Sequence, residues 1–353
     1  MEESKIMQRT KISDQVKTAN NKELEPEKKY DGSDTFISTG STLLDKAITG
    51  GRTKYGGIPG GIMVEIFGPS GCGKTSLLCE IAGNIQRQGG DISFNDPEGR
   101  LNKQFARIFD LDPEEMLYST PNTIPEVFQM IRKWEVKDNK KIHGILADSL
   151  AALSTDLEME NEDGDKMGMR RAKEFSQELR RTCRILLEKN LLLACSNQQR
   201  VNANAGPYGQ QYISPGGEAI GYYSSLRLRC MSPQKIKIEK TIAGKKPKKV
   251  IGVETHIEVY KSSVWKPYRD CSVCIIFDYG IDDIRANLQF VKTNTKSTTY
   301  VVEDEKVGQS LDEAIRTVES NDLEDALKEQ TIRLWDEIEE QFVVERKPKR
   351  KES

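Results

Sequence analysis

The sequence is poor in histidine and has no long apolar run, and both deficits limit what the protein can be. With only two histidines, and seven cysteines that are scattered, a zinc site would be hard to complete. The one close pair, Cys271 and Cys274, lies in the strand-like run "CSVCIIFD" and is interpreted as packing. No apolar run approaches the roughly eighteen residues that a membrane-spanning helix needs. The polar start, "MEESKIMQRTK", predicts no secretory signal, and scattered cysteines favour a reducing compartment.

The composition, 36% hydrophobic and 31% charged, is that of a soluble globular chain. The net charge of −2 does not by itself indicate or exclude nucleic-acid binding. Residues 1–34 are polar and mixed in charge, so we expect an arm with one short helix around "ISDQVKTAN" and a possible role in oligomerisation. Residues 346–353 are basic, lack apolar side chains and are expected to form a disordered tail.

Short apolar runs alternate with helical segments over residues 35–282. The runs include "MVEIFG", "DISFND", "HGILADS" and "LLLACSN", and the helical segments include "KTSLLCEIAGNIQRQ" and "TIPEVFQMIRKWE". Near-continuous apolar strands between helices predict a mostly parallel sheet that is covered on both faces. From about residue 226 turns join the runs instead, which predicts antiparallel strands that extend the sheet. The predicted fold class is therefore α/β.

Residues 283–345 differ in composition and are predicted to form a small α+β C-terminal domain. Residues 303–345 contain 15 acidic and 4 basic residues. Apolar residues recur there at helical spacing, which predicts a helix that covers a small separate core. The recurring residues are Leu323, Leu327, Leu334, Ile338 and Phe342.

The segment "GPSGCGKT" (Gly68–Thr75) matches the phosphate-binding pattern G-x-x-x-x-G-K-[ST] in full. It follows the apolar run "MVEIF" and opens a helical segment, which is the context that the pattern requires. Glycines let backbone N–H groups turn inward as an anion-binding nest, and the helix N-terminus adds its positive dipole end. Lys74 is predicted to reach the β- and γ-phosphates of a nucleotide, and the Thr75 hydroxyl to ligate Mg²⁺.

Acidic residues end two neighbouring strand-like runs. Asp148, in "HGILADS", is predicted to hold the magnesium ion through water. A further acid ends "DISFNDPEGR", where a carboxylate would polarise water for attack on the γ-phosphate. Asp96 and Glu98 both fit that role, and chemistry alone does not choose between them.

The segment "NQQRVNANAGPYGQQYISPGGEA", residues 197–219, has no periodicity although apolar runs flank it. Loops of this length in a folded domain are usually functional or disordered. The residues alone leave both interpretations open.

Several segments together resemble the bacterial RecA recombinase family. They are "ISTGSTLLDKAITGG", "GGIPGGIMVEIFGPSGCGKTSL", "FNDPEGRLNKQFAR", "ILADSLAAL" and "SNQQR…SPGGEAIGYYSSLRLR", in the family's order and spacing over about residues 37–281. A weaker similarity continues through "YVVEDEKVGQS". The divergence indicates a distant member that a phage could encode. The resemblance implies a RecA-type P-loop ATPase core in the cytoplasm, with ATP and Mg²⁺ bound.

The resemblance also chooses the catalytic acid. Glu98 aligns with the family's glutamate that activates water, and Lys74 keeps its role. Gln198, at the end of its strand, aligns with the polar residue that senses the γ-phosphate. Asn102 and Phe105 fall where family members hold the adenine. The ATP-binding set that the resemblance implies is Gly68, Pro69, Ser70, Gly71, Cys72, Gly73, Lys74, Thr75, Ser76, Asn102, Phe105 and Lys261.

In the family, the segment after Gln198 is a DNA-binding loop, and ordering on DNA would explain its lack of periodicity. Arg200, Gly216 and Gly217 match loop residues that contact the single-strand backbone. An earlier segment, "EMENEDGDKMGMRR", matches the family's other DNA loop but is more acidic. On the helix after it, two residues match those that face the DNA. These are Ser176 and Arg180.

The sequence departs from the family pattern in three places. Family filaments place two lysines onto the neighbouring subunit's ATP, whereas this chain keeps Lys261 but has Ser263 at the second position, so trans activation is either weaker or taken over by Lys266. The polar arm lacks the apolar strand that pairs with the next subunit. Seven lysines in "QKIKIEKTIAGKKPKK", residues 234–249, form either a solvated turn or a duplex-binding patch.

The expected function is that of a DNA-dependent ATPase that polymerises on single-stranded DNA, pairs it with a homologous duplex and exchanges strands. The alternative is a RecA-fold ATPase that exchanges no strands, either a ring-forming DNA motor or a regulatory ATPase. The polar arm and Ser263 favour the alternative. The long loop with Arg200 and paired glycines favours the recombinase.

Overall fold

The computed structural model describes residues 36–155, 158, 167–201, 212–213, 218–242, 244–344 and 346. The predicted N-terminal arm with its short helix, the basic tail, and most of both predicted DNA loops lie outside the described residues. Gly216 and Gly217 are among them.

A ten-stranded sheet forms the centre of the described chain. The described strands, of this sheet and of three two-stranded sheets (β1-β2, β8-β9 and β15-β16), are β1 (Phe36–Ile37), β2 (Ile58–Pro59), β3 (Met63–Gly68), β4 (Ile92–Asn95), β5 (Met116–Ser119), β6 (His143–Ala147), β7 (Leu191–Gln198), β8 (Arg200–Val201), β9 (Tyr212–Ile213), β10 (Leu226–Cys230), β11 (Gln234–Glu239), β12 (Lys248–Ser262), β13 (Asp270–Ile276), β14 (Gly280–Ile281), β15 (Tyr300–Val302) and β16 (Glu305–Gly308). The order in the large sheet is β14-β13-β12-β10-β3-β7-β6-β4-β5, and β11 pairs with β12.

One part of the sheet is parallel and the other is antiparallel. Strands β10, β3, β7, β6, β4 and β5 run parallel to one another. Every residue of β3 and β6 is buried, as expected for parallel strands that are covered on both faces. Strands β12, β13 and β14 extend the sheet through antiparallel pairing. The predicted mostly parallel sheet with an antiparallel extension is confirmed.

Helices cover both faces of this sheet. The described α-helices, of which the last three belong to the C-terminal part, are α1 (Thr42–Thr49), α2 (Lys74–Arg87), α3 (Lys103–Ile108), α4 (Ile124–Lys133), α5 (Met167–Glu188), α6 (Glu218–Tyr223), α7 (Asp283–Thr295), α8 (Leu311–Ser320) and α9 (Glu324–Gln341). Leu77 and Ile81 of α2 belong to one apolar core, and Phe128 of α4 and Phe175 of α5 belong to a second. Two cores, each built from helix and strand residues, define the α/β class.

The helix ends follow local sequence signals. Thr123 and Glu126 form a capping box at the start of α4, where each side chain bonds the other residue's backbone N–H. Proline occupies the first turn of that helix, where its missing N–H costs nothing. Ser41 caps α1 by accepting from the Leu44 N–H at 3.4 Å.

The C-terminal elements α7, β15, β16, α8 and α9 share a third apolar cluster that includes Leu288, Val302, Val318 and Leu327. Phe342 follows the last residue of α9 and is 78% exposed, so its assignment to the predicted helix face was wrong. Phe342 is the C-cap residue of α9, and its side chain is not part of the third apolar cluster. The domain bounds stay a prediction.

The lysine-rich segment forms the β11–β12 hairpin. Its lysines are exposed, and two of them, Lys246 and Lys248, pair with Glu239. Both interpretations of this segment stay open. Among the helices that the structure describes, none has the length and apolar content to cross a membrane.

Candidate nucleotide-binding site

The phosphate-binding pattern lies between β3 and α2, in the strand–loop–helix context that the sequence predicts. Gly73 caps α2 with a φ of 89°, which favours glycine. A Cβ at Gly73 would lie 2.2 Å from Cδ1 of Ile275, so a larger residue would also require the end of that side chain to shift. The first turn of α2 has N–H groups without partners inside the helix, and the helix dipole favours an anion there.

This loop lines a cavity of about 740 Å³. The carboxyl ends of the parallel strands β3, β6 and β7 meet at this edge of the sheet, which is where open α/β sheets bind ligands. Strand β13 and residues 277–278 form another wall. The lining side chains that can carry chemistry include Lys74, Thr75, Glu98, Asp148, Ser196 and Gln198.

A hydroxyl and a carboxylate meet on one side of the cavity. The Thr75 Oγ1 hydroxyl donates to Oδ2 of Asp148 at 2.5 Å, and the Ser196 hydroxyl donates to the other carboxylate oxygen. Hard oxygen donors of this kind suit Mg²⁺, which keeps several waters and takes few protein ligands. The donor set therefore fits the predicted metal role of Thr75 and Asp148.

The Lys74 ammonium lies over its own loop. It donates to the carbonyls of Gly68 at 3.1 Å and Pro69 at 2.7 Å. Cys72 is fully buried and does not line the cavity, so its thiol does not face the predicted phosphates. A hydrogen bond with Cys230 and the Lys74 charge lower the pKa of the Cys72 thiol to about 7, against the opposing effect of burial.

The two candidate acids have different environments. Asp96 is 2% exposed and accepts from the Leu101 N–H at 2.7 Å and the Tyr118 hydroxyl at 2.9 Å. It does not line the cavity, whereas Glu98 does. Glu98 pairs with Nη1 of Arg100 at 2.6 Å. The geometry therefore favours Glu98 as the acid that meets substrate.

The two predicted adenine residues also differ. Phe105 is half-buried and lines the cavity, with its ring 5.2 Å from that of Phe109. Asn102 is exposed and does not line it. Its Oδ1 caps α3 by accepting from the Phe105 N–H at 2.7 Å, and its contact with adenine stays a prediction.

The structure adds lining residues that the sequence interpretation missed. Arg100 lines the cavity beside Glu98, and its place in "DPEGR" was an available signal. Residues Ile275, Ile276, Phe277 and Asp278 line the opposite wall. They follow the phosphate-binding loop by about 200 positions in the sequence, and the antiparallel extension of the sheet brings them to the cavity. No local sequence pattern therefore identifies them.

Lys261 lies outside the cavity. Its Nζ donates to the carbonyls of Gly221 and Tyr222, each at 2.8 Å. Burial, and then the nearby Arg227 charge, lower the pKa of Lys261. Ser263 donates to the carbonyl of Ser225 at 3.1 Å. The role of Lys261 toward the nucleotide of another subunit stays a prediction.

Three of the predicted DNA-binding residues, Ser176, Arg180 and Arg200, lie within the described residues. Ser176 is half-buried and Arg180 exposed on α5. Arg200 starts β8, and its backbone pairs with Ile213 of β9. The DNA contacts of these residues stay predictions.

The fold and the loop define a protein of the P-loop nucleotide-binding class with a mostly parallel sheet. A family model described as the RecA N-terminal domain matches residues 20–282. The chain is 30% identical to "Protein RecA" of Delftia acidovorans over 291 residues, which are 81% of this chain and 74% of that protein. It is 31% identical to "Protein RecA" of Anaplasma marginale over 292 residues, 81% and 76% of the two chains. It is 30% identical to "Protein RecA" of Borrelia hermsii over 283 residues, 79% and 76%. The chain belongs to the RecA family.

Proposed function

We propose that this protein is an ATP-dependent recombinase that coats single-stranded DNA, pairs it with a homologous duplex and exchanges strands. One observation carries the proposal. Gln198 lines the same cavity as Lys74 and Glu98, and it is also the last residue of β7, where the segment aligned with a DNA-binding loop begins. Nucleotide and DNA would therefore act on the two ends of one short stretch of backbone.

The proposed reaction is hydrolysis of ATP to ADP and phosphate. The Glu98 carboxylate accepts a proton from a water molecule as its oxygen attacks the γ-phosphorus. The bond from that phosphorus to the β–γ bridging oxygen breaks, and ADP leaves with the electron pair. Lys74 turns from its loop carbonyls to the β- and γ-phosphates and offsets their charge.

Thr75 and Asp148 would hold the magnesium ion, Thr75 directly and Asp148 through water. The ion would neutralise charge on the β- and γ-phosphates. The side chains of this chain do the positioning. Ser196 holds the Asp148 carboxylate from one side while Thr75 contacts it from the other.

DNA binding would depend on phosphate contacts more than on base sequence, because such contacts position a protein without reading bases. Arg200 and residues 216–217 are the proposed backbone contacts, with Ser176 and Arg180 beside them. Homology would be tested by base pairing between the strands. The relatives that carry the name "Protein RecA" support this assignment, as does the family match.

Electron microscopy of the protein with single-stranded DNA and a non-hydrolysable ATP analogue tests the proposal. Helical filaments that form only when both ligands are present are the expected result, with Lys261 across the subunit interface. Closed rings, or assemblies indifferent to DNA, would instead favour an ATPase that exchanges no strands.

A further inference from the structure

A row of polar side chains crosses the sheet beside the nucleotide cavity. Glu65 of β3 is the register partner of Cys195 on β7 and of Arg227 on β10. Arg227 is in turn the partner of Lys261 on β12. Three strand spacings of about 4.8 Å separate the ends of this row, about 14 Å in all. Asn197 lies two residues after Cys195 and therefore on the same face.

Glu65 is the centre of this row and is fully buried. Its Oε2 accepts from Nε of Arg227 at 2.6 Å, and its Oε1 accepts from Nδ2 of Asn197 at 2.9 Å. Removing one partner of a buried ion pair is strongly destabilising, because the remaining charge is left uncompensated. The three side chains are therefore constrained to move together.

Asn197 joins this group to the predicted γ-phosphate sensor. Its Oδ1 accepts from the backbone N–H of Gln198 at 3.0 Å. Side chains alternate across a strand, so Asn197 faces the buried row while Gln198 faces the cavity. A displacement of Gln198 by a phosphate would therefore change the geometry of the Asn197 amide directly.

Arg227 joins the group to the other end of the row. Its guanidinium carbon lies 4.6 Å from the ring centroid of Phe67 and 5.3 Å from that of Tyr260, which fixes its plane. A Cβ at Gly221 would lie 3.0 Å from Nη1 of Arg227. Helix α6 thus packs on the guanidinium, and the carbonyls of that helix hold the Lys261 ammonium.

We infer that Asn197, Glu65 and Arg227 are positioning residues that couple Gln198 to Lys261 and helix α6. This inference rests on the proposed function, in which Gln198 senses one nucleotide and Lys261 contacts the nucleotide of the neighbouring subunit. The buried group transmits a change at the first site to the second. Cooperation between successive nucleotide sites, and the gain in DNA affinity that ATP produces in the assembly, both depend on it.

Asn197→Leu is the test, because leucine keeps nearly the same volume but forms neither hydrogen bond. Two quantities are measured in the full-length protein. One is the affinity for a non-hydrolysable ATP analogue without DNA, and the other is the gain in single-stranded DNA affinity that this analogue gives. We expect the first to stay within about threefold of wild type. We expect the gain to fall by about tenfold, within the usual range of allosteric coupling, and the Hill coefficient for ATP in the DNA-dependent ATPase to fall toward 1.

Asn287→Leu is the matched control. Asn287 is also buried, and it donates to Asp283 at 2.9 Å in α7, outside the row. It should lower the melting temperature as Asn197→Leu does but leave both the gain and the Hill coefficient unchanged. If Asn197→Leu folds poorly, Asn197→Thr is measured instead, since its shorter hydroxyl side chain also loses the bond to Glu65.

A double-mutant cycle with Lys261→Ala measures the connection itself. If the row carries the coupling, the combined loss of cooperativity is no larger than the greater single loss. Additive losses would overturn the inference, as would a full gain in Asn197→Leu or Asn197→Thr. If wild type shows no nucleotide-dependent gain at all, the proposed function fails and this inference with it. A gain in wild type that survives in the variants rejects the positioning role alone.

Discussion

Asp96 and Glu98 lie two residues apart, and their carboxylates make different contacts. The Asp96 carboxylate accepts from a backbone N–H and a tyrosine hydroxyl, so it holds the turn after β4 in place. The Glu98 carboxylate lines the cavity and is paired with the exposed Arg100. A base needs access to water and substrate, and of these two acids only Glu98 has it.

Glu98→Gln is expected to bind ATP but to hydrolyse it about a hundredfold or more slowly, because the amide keeps the shape and cannot accept a proton. The measurement is steady-state ATPase activity with single-stranded DNA, beside ATP affinity. Because ATP persists in its site, this variant should also hold DNA longer.

Asp96→Asn provides the contrast at the same turn. The loss of a charged acceptor should lower stability while the ATPase rate per folded molecule stays close to that of wild type. Normal hydrolysis by Glu98→Gln together with a severe loss in Asp96→Asn would show that the two acids have been assigned the wrong way round.

The residues of the site differ in how far the sequence could identify them. Thr75 ends the phosphate-binding motif and Asp148 follows an apolar strand. The fold brings Oγ1 of Thr75 to 2.5 Å from Oδ2 of Asp148. Asn102, predicted to hold adenine, caps α3, and its contact with adenine stays a prediction. A cap and a ligand contact require the same kind of side chain, so residue type alone could not distinguish them.

At the scale of elements, helix α2 follows the phosphate-binding loop and contains a largely buried carboxyl group, Glu80. Burial raises the pKa of Glu80 to about 7, with Arg87 acting in the opposite direction. Between about pH 4.5 and pH 7 the folded state therefore keeps a proton that the unfolded state has lost. Above pH 7 the buried carboxylate is ionised, and its burial lowers the free energy of unfolding.

Glu80→Gln should therefore raise the free energy of unfolding at pH 8 by up to about 3 kcal/mol, an upper figure from the pKa difference at 1.36 kcal/mol per unit. The advantage should shrink as the pH falls and vanish near pH 4, where the wild-type acid is neutral in both states. Urea unfolding of both proteins across this range measures it. A difference that does not change with pH would contradict the argument.

The parallel strands were the elements that the sequence predicted best. Strands such as β3 and β6 are buried throughout, so they consist of unbroken apolar runs. Strand β12 was harder to predict. It begins at Lys248 within the lysine-rich segment. Its first residues pair with β11 and are exposed, so the strand has no apolar pattern there.

At the scale of the whole molecule, ion pairs attach helix α9 to the rest of the described fold. Lys46 of α1 has a fully buried side chain and lies 2.7 Å from the Asp336 carboxylate of α9. Arg269 pairs with Glu339 on the same helix. A buried ammonium depends on its partner, because an uncompensated charge is costly away from water.

Asp336→Asn should lower the free energy of unfolding by about 2 kcal/mol, less than for a fully buried pair because Asp336 is 40% exposed. Thermal unfolding measures the loss. Glu329→Gln is the control. Glu329 lies on the same helix as Asp336 and pairs with the exposed Lys54, so the loss of this pair should change the melting temperature little. Equal effects of the two changes would refute a special role for Lys46.

The formation of joint molecules is the most direct test of a recombinase. Wild-type protein is assembled on single-stranded DNA with ATP and Mg²⁺ and given either a homologous or an unrelated duplex. We predict that stable joint molecules form with the homologous duplex and not with the unrelated one. The yield should be the same whichever base sequence the homologous strand and duplex share. Lys74→Ala should form no joint molecules. DNA-stimulated ATP hydrolysis without joint molecules on the homologous duplex would contradict the account and identify the protein as a RecA-family ATPase that does not exchange strands.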